Sequence, residues 1–199
     1  MKYLLSGFIS FILLAKLQAQ VFFPVDENSG KVFYTRLENM PVSKSDIYNR
    51  TKTWFINYYR TSRFEEHFKI NRKGKPVMLV ENKNKTSITG KYGFYVMHPA
   101  EASRLVMDQT FVTLTMTISF TDSGYKNHIT DLICYSSNTN AGNNMRPPEF
   151  GLEAFNEMRL NRQDYVQQYI IPQVTNSIRK IQDELSRTIR YGNLTEAKL

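Results

Sequence analysis

Between Val112 and Phe120 the chain alternates without a break. Val112, Leu114, Met116, Ile118 and Phe120 are apolar, and Thr113, Thr115, Thr117 and Ser119 between them are polar. Successive side chains on a strand point to opposite faces, so this is a strand with one buried and one solvated face. Asp122-Ser123-Gly124 supplies turn residues, and Tyr125 to Tyr135 returns as the partner strand, which predicts a long antiparallel hairpin. The Thr stripe reads as the polar outer face of the sheet, with a flat hydroxyl surface for glycan or ordered water as the sharper alternative. Gly30 to Leu37 reads as a first strand, and Pro76 to Glu81, Thr86 to Thr89 and Tyr92 to Met97 as further ones.

Two segments carry the helical period instead. Ser43, with Asp46 three residues on, is a capping-box-like start, and Ile47, Thr51, Trp54, Phe55 and Tyr58 then fall on one stripe, predicting a helix from Lys44 to Tyr59. Trp54 and Phe55 are core anchors on this spacing; stacking on a cofactor is the alternative for Trp54. Near the carboxyl end, Ile171, Val174, Ile178, Ile181, Leu185 and Ile189 make a second stripe, predicting a helix from Asp164 to Arg190 that covers the apolar face of the sheet. Pro172 either sits in the first turn of that helix or kinks a longer one. Ser136 to Gly151, rich in Ser, Asn, Gly and Pro, reads as the loop leading to it.

The first residues have a different pattern. Lys2, an apolar stretch from Tyr3 to Ala15, and Leu17-Gln18-Ala19 form the three parts of a signal peptide, with cleavage expected after Ala19. The apolar run is well short of the roughly 20 residues of a spanning helix, and Lys16 closes it, so no transmembrane span is expected in the mature chain. Residues 20–199 then form one α+β domain, exported to the periplasm, the cell surface or the medium.

Charge matters in that light. The 199 residues carry a net charge of +8, and loss of Lys2 and Lys16 lowers it to +6. Outside the inner membrane such a chain meets anionic lipid, acidic glycan or an envelope protein, and nucleic acid is not an expected partner. Between Arg60 and Lys91 nine basic residues face three acidic ones. Lys69, Arg72, Lys73, Lys75, Lys83 and Lys85 are the candidate anion-binding residues there, against the plainer reading of solvated turn residues.

The order strand, helix, four antiparallel strands, helix resembles the TATA-binding-protein-like architecture. The run Gly30-Lys31-Val32-Phe33-Tyr34-Thr35, then Ser43 to Phe55 (SKSDIYNRTKTWF), is similar to the opening of an exported Gram-negative bacterial family known only as a domain of unknown function with that fold. The alternating strand, its Asp-Ser-Gly turn and Ile129-Thr130-Asp131 are similar to that family's central hairpin. The resemblance covers residues 30 to 135, with a poor match from Thr61 to Thr110, and Tyr125-Lys126-Asn127-His128 departs from a more basic, aromatic strand. It implies a single curved antiparallel sheet of about five strands on a long carboxyl-terminal helix, and an exported location. It implies no activity, and DNA binding does not carry over, since fold does not fix function.

Catalytic ingredients are thin. His67, His98 and His128 are the only imidazoles and none has a metal-ligand spacing. Adjacent carboxylates at Asp26-Glu27 and Glu65-Glu66 do not face each other, and Gly90-Lys91-Tyr92-Gly93 lacks the spacing of a phosphate loop. The single Cys134 excludes a disulfide framework and a Cys-based zinc site, and its apolar neighbours make it a buried thiol. No cofactor, metal or catalytic residue is assigned. The expectation is a non-enzymatic exported module that binds an anionic or apolar ligand, or an envelope partner. Any space between sheet and helix would be lined by residues such as Trp54, Met116, Phe120 and Ile178. The alternatives are an envelope hydrolase using His98 or His128 with a nearby acid, or an assembly protein exposing apolar surface near Pro147 to Phe155.

Overall fold

The computed structural model describes residues 22–61, 80–82, 84, 86–100, 103–136, 149–155 and 165–192. Strand β1 is Tyr34–Asn39 and helix α1 is Lys44–Thr61. Strands β2 (Val80–Glu81), β3 (Ser87–Ala100), β4 (Ser103–Thr121), β5 (Gly124–Ser136) and β6 (Glu149–Gly151) follow. A 3₁₀ turn at Leu152–Phe155 and a π-helical turn at Val166–Ile170 precede helix α2, Ile171–Tyr191. The strands form one antiparallel sheet in the order β1-β5-β4-β3-β2, with β6 beside the far end of β5.

The alternation along β4 puts Val112, Leu114, Met116, Ile118 and Phe120 in the core, as expected. All six apolar residues of the α2 stripe are buried against that face, each contributing roughly 1.5–3 kcal/mol of burial. Helix α1 buries Ile47, Thr51, Trp54 and Phe55, adds Tyr48 and Tyr59, and leaves Tyr58 half-buried. Its start is the cap predicted: Ser43 Oγ accepts from the Asp46 N–H at 3.1 Å and donates to the Asp46 carboxylate at 2.7 Å. Arg50 serves the other helix. Its guanidinium donates to the carbonyls of Ile189 (2.6 Å) and Arg190 (3.2 Å), placing positive charge on the negative end of α2.

Several elements differ from the sequence expectation. The stretch from Gly30 becomes strand only at Tyr34, because Asp26 to Lys31 closes a turn in which Gly30 has φ +67°, and Val32 makes an isolated bridge to Val25. Thr86 to Thr89 and Tyr92 to Met97 are one continuous strand, not two. Gly90 and Gly93 interrupt the pattern without turning the chain, since each receives a ring: a Cβ at Gly90 would lie 2.5 Å from Phe55, and one at Gly93 2.6 Å from Phe111 on the opposite face. Of the strand expected at Pro76 to Glu81, only Val80–Glu81 falls among the described residues. The loop expected over Ser136 to Gly151 ends in β6, which hydrogen-bonds to Ile133–Tyr135. Gly124 opens β5 instead of centring the turn, because the Glu38 carbonyl passes 1.9 Å from where its Cβ would be. Thr113, expected on the solvated face, is buried, and Phe111 on the same face packs with Tyr95 and Tyr135.

A bulge in β5 resets which side chains face inward. Thr113 pairs with Ile133 but Thr115 with Thr130, and Asp131 has φ 50°. Before it Tyr125, Asn127 and Ile129 point to the core; after it Leu132 and Cys134 do. Pro172 sits in the first turn of α2, and the turn before it widens so that the Ile171 N–H reaches the Val166 carbonyl. That accommodates a ring which cannot donate and which would clash with a regular preceding turn.

Beyond β2, the edge of β3 is closed by side chains. The Tyr59 hydroxyl bonds both the Lys91 N–H (2.9 Å) and C=O (2.7 Å), and Tyr58 does the same at Gly93 (2.9 Å each). The Gln173 amide bonds both backbone groups of Met97. Three side chains thus stand where another strand would pair.

Candidate functional site

Strand β1 alternates inward and outward, so Tyr34, Arg36 and Glu38 face α2. The Tyr34 hydroxyl meets Thr175 Oγ1 at 3.3 Å, and Arg36 reaches Asp183 Oδ1 through Nη1 and Glu38 Oε1 through Nη2, each at 2.5 Å. The Asp183 hydrogen bond holds the Arg36 guanidinium above its ordinary pKa, and burial raises that of Tyr34. Between these pairings lies a cleft of about 450 Å³, lined by Tyr34, Arg36, Thr175, Ile178, Arg179, Gln182 and Asp183. The size suits a small molecule.

Gln182, on the cleft wall, is 8% exposed and its Nε2 has no hydrogen-bond partner; away from the cleft lining, Asn127, 1% exposed, has none for either Nδ2 or Oδ1, and Thr51 Oγ1 in α1 has none. A buried amide left unbonded costs on the order of 1–3 kcal/mol, so such groups mark places to be explained. The two amides lie at one level of the molecule. Tyr125 bonds Ser186 and Tyr34 bonds Thr175, while Tyr34 pairs with Ile129. Asn127, midway between Tyr125 and Ile129 and opposite Arg36, therefore faces α2 between Thr175 and Ser186, where Ile178 and Gln182 stand. Arg179, exposed on the cleft wall, has no ion-pair partner among the described residues.

A second recess of about 340 Å³ lies where β1 stops and β6 begins, at the bulge, lined by Lys31, Lys91, Asp131, Leu132, Ile133, Gly151 and Glu153. Its Lys31–Asp131 pair is exposed, at 3.1 Å, and no buried polar group among its lining residues lacks a partner.

The residues singled out in the sequence are placed differently. Lys69, Arg72, Lys73, Lys75, Lys83 and Lys85 lie outside the described residues, as do the signal segment 1–19 and His67. Trp54, Met116 and Phe120 are solid core, and of the residues expected around a cavity only Ile178 lines the cleft. Trp54 stacks on Tyr92 (ring centroids 5.6 Å apart, planes at 5°) and donates to Glu184 at 3.0 Å, so its ring is fully used. His98 and His128 are on opposite faces of the sheet. His98 is buried, bonded through Nε2 to Thr110 (2.9 Å) and through Nδ1 to the Tyr165 hydroxyl (2.6 Å), and His128 is exposed beside Phe33. The hydrolase alternative calls for His98 or His128 with a nearby acid, and the hydrogen bonds of the His98 ring go instead to Thr110, Tyr165 and the Pro99 carbonyl. Cys134 is buried, and burial pushes its thiol up to about 12. Leu152, within the Pro147 to Phe155 stretch, is buried. No three His, Cys, Asp or Glu among the described residues are grouped to hold a metal, and no helix among them is long and apolar enough to cross a membrane.

Sequence reasoning did not find Arg36, Asn127, Arg179 or Gln182. A signal existed for Asn127, a polar residue at an inward position between Tyr125 and Ile129. Gln182 follows Ile181 on the apolar stripe and lies one turn past Ile178.

Comparison with known proteins bears on the fold. The profile of a family described as a domain of unknown function (DUF4468) with TBP-like fold matches residues 33–134. A TBP-like protein from Parabacteroides distasonis superposes with a TM-score of 0.54 at 14% identity, over 83% of this chain and 96% of that one. A DUF4468 family protein from Bacteroides ovatus gives 0.53 at 13% identity, over 81% and 90%. No curated protein matches the sequence.

Proposed function

The chain belongs to the DUF4468 family with its TBP-like fold, and from that premise we propose that it is an exported, non-enzymatic module that holds a small anionic ligand between β1 and α2. The observation that carries this reading is the cleft whose buried Gln182 amide nitrogen has no partner while Arg179 stands beside it without an ion-pair contact. An anionic group there would give Arg179 the direct contact it lacks and bring an acceptor toward Gln182, which an apolar filling could not do. Arg36 is held by Asp183 and Glu38, so its role is to fix the wall; the two guanidiniums and two carboxylates balance, and Arg179 is the one without a direct ion-pair contact. Nothing in the site offers a nucleophile paired with a base, in keeping with binding in place of turnover.

Export is part of the proposal and rests on the basic, apolar and small-residue order of residues 1–19. Native mass spectrometry of the protein from its host envelope fraction tests both halves. The expected result is a chain beginning at Gln20 that carries a small mass released on denaturation, a mass lost in Gln182→Leu. A bare chain whose thermal midpoint ignores small carboxylates would overturn the binding reading, and a chain still beginning at Met1 would overturn export.

A further inference from the structure

The two margins of the sheet are finished differently. Along β3, Tyr58, Tyr59 and Gln173 occupy the outward backbone groups, whereas β1 ends the strand order with nothing paired beyond it among the described residues. The Met40 N–H donates to the Ser123 carbonyl opposite it, so by alternation Glu38, Arg36 and Tyr34 turn their backbone groups toward β5, and Thr35, Leu37 and Asn39 turn theirs outward. On that outer side the Phe33 N–H reaches the Pro24 carbonyl, and no further backbone bond joins the 22–26 segment to β1. The open stretch is therefore Thr35 to Asn39, bounded by Pro24 at one end and by the departure of the chain into α1 at the other. Its three outward residues are exposed, with the apolar Leu37, 66% exposed, at the centre. Such an edge is a template for another strand.

The strand is complementary to itself. Antiparallel pairing of two copies about a two-fold axis at Leu37 sets Thr35 opposite the partner's Asn39, Arg36 opposite the partner's Glu38, and Leu37 opposite the partner's Leu37. The outward residues then exchange about six interchain backbone hydrogen bonds. On the α2 side each Arg36 meets the partner's Glu38 and joins the Arg36–Glu38 pair already made within each chain, closing a ring of alternating charge. On the other side the two Leu37 side chains leave water together. A slide of two residues, the smallest that keeps the outward groups matched, sets Arg36 against the partner's Arg36 or Glu38 against the partner's Glu38, so charge fixes the register. We infer that the protein self-associates through β1, two copies forming one continuous antiparallel sheet with the two-fold axis at Leu37. This pairing uses the strand edge and does not depend on a ligand in the cleft.

Sedimentation velocity of the mature chain from about 1 μM to about 300 μM, the range in which weak dimers dissociate, should show a rise from one chain's mass to two. Leu37→Lys sets like charges opposite each other on the axis and should raise the dimer dissociation constant about tenfold or more, with the circular dichroism spectrum unchanged because the position is exposed. Disulfide capture reads the register, since the only native cysteine, Cys134, is buried. Leu37→Cys puts the two Cα atoms about 5.5 Å apart, within disulfide reach, and should give a covalent dimer on mild oxidation. Thr35→Cys lies about 14 Å from its copy and should not. A single-chain mass at every concentration would overturn the inference, as would a dimer that Leu37→Lys leaves unchanged, or capture at Thr35 as efficient as at Leu37.

Discussion

The two ends of the sheet–helix interface are built in opposite ways. Under α1, Trp54, Phe55, Tyr58, Tyr59 and Tyr92 interlock, with Tyr58 and Tyr92 ring centroids 3.7 Å apart and Phe55 seated on Gly90. The polar tips of Trp54, Tyr58 and Tyr59 are hydrogen-bonded, to Glu184, Gly93 and Lys91. Between β1 and α2 the same layer contains Arg36, Asn127 and Gln182, an open cleft, and three amide atoms with no partner. The first end is packed as interiors are packed and leaves one buried polar atom, Thr51 Oγ1, without a partner. The second leaves more stabilisation unrealised, as the proposed ligand site would require.

The comparison predicts opposite signs for substitutions at the two ends. Phe55→Ala empties the best-packed position, and chemical denaturation should show a loss of about 3–5 kcal/mol, the usual range for a large buried ring. A loss below about 1 kcal/mol would mean that the aromatic end is not the stable one.

A graded effect should follow from pH. Burial pushes the hydroxyls of Tyr58, Tyr59 and Tyr92 upward, that of Tyr125 up to about 12, and the Cys134 thiol also to about 12. Their raised values favour the protonated folded state. The unfolded chain loses these protons first, so stability is intact below about pH 9, and falls as pH rises through about 10 toward the folded values. Tyrosinate absorbance and circular dichroism should therefore change together in an alkaline titration. Ionisation of all the tyrosines near pH 10 with the dichroism unchanged would contradict this.

The smallest effect should be a gain. Asn127→Leu removes two unbonded polar atoms from a buried position, and stability should stay level or rise by up to about 2 kcal/mol. A loss of several kcal/mol would show that Asn127 belongs to the packing, and would erase the contrast between the ends.

The elements of the fold were largely legible, because burial on one face imposes a period that local sequence displays. Val112 to Phe120 and the stripe from Ile171 to Ile189 are cases in which every apolar position turned inward. Ser43 and Asp46 announced a helix start through a contact only three residues long. Gly90 and Gly93 misled, since a glycine that makes room for Phe55 or Phe111 looks in sequence like one that turns the chain. The β6 pairing was hidden inside a loop-like composition, and the bulge at Asp131 was visible only as a change of apolar phase from Ile129 to Leu132.

What the sequence determined by itself was the family resemblance, the α+β class, the strand and helix that face each other, and the burial of Cys134. These follow from period and composition, which are local properties. Only the tertiary structure decided which polar groups meet. Arg36 and Asp183 are 147 residues apart, as are no two groups in any motif the chain displays. Neither carries a mark of the other, because an ion pair needs proximity in space and imposes no period on the chain. The cleft, with the unbonded Gln182 amide nitrogen and Arg179 on its wall, exists as a candidate site only because β1 and α2 are brought side by side.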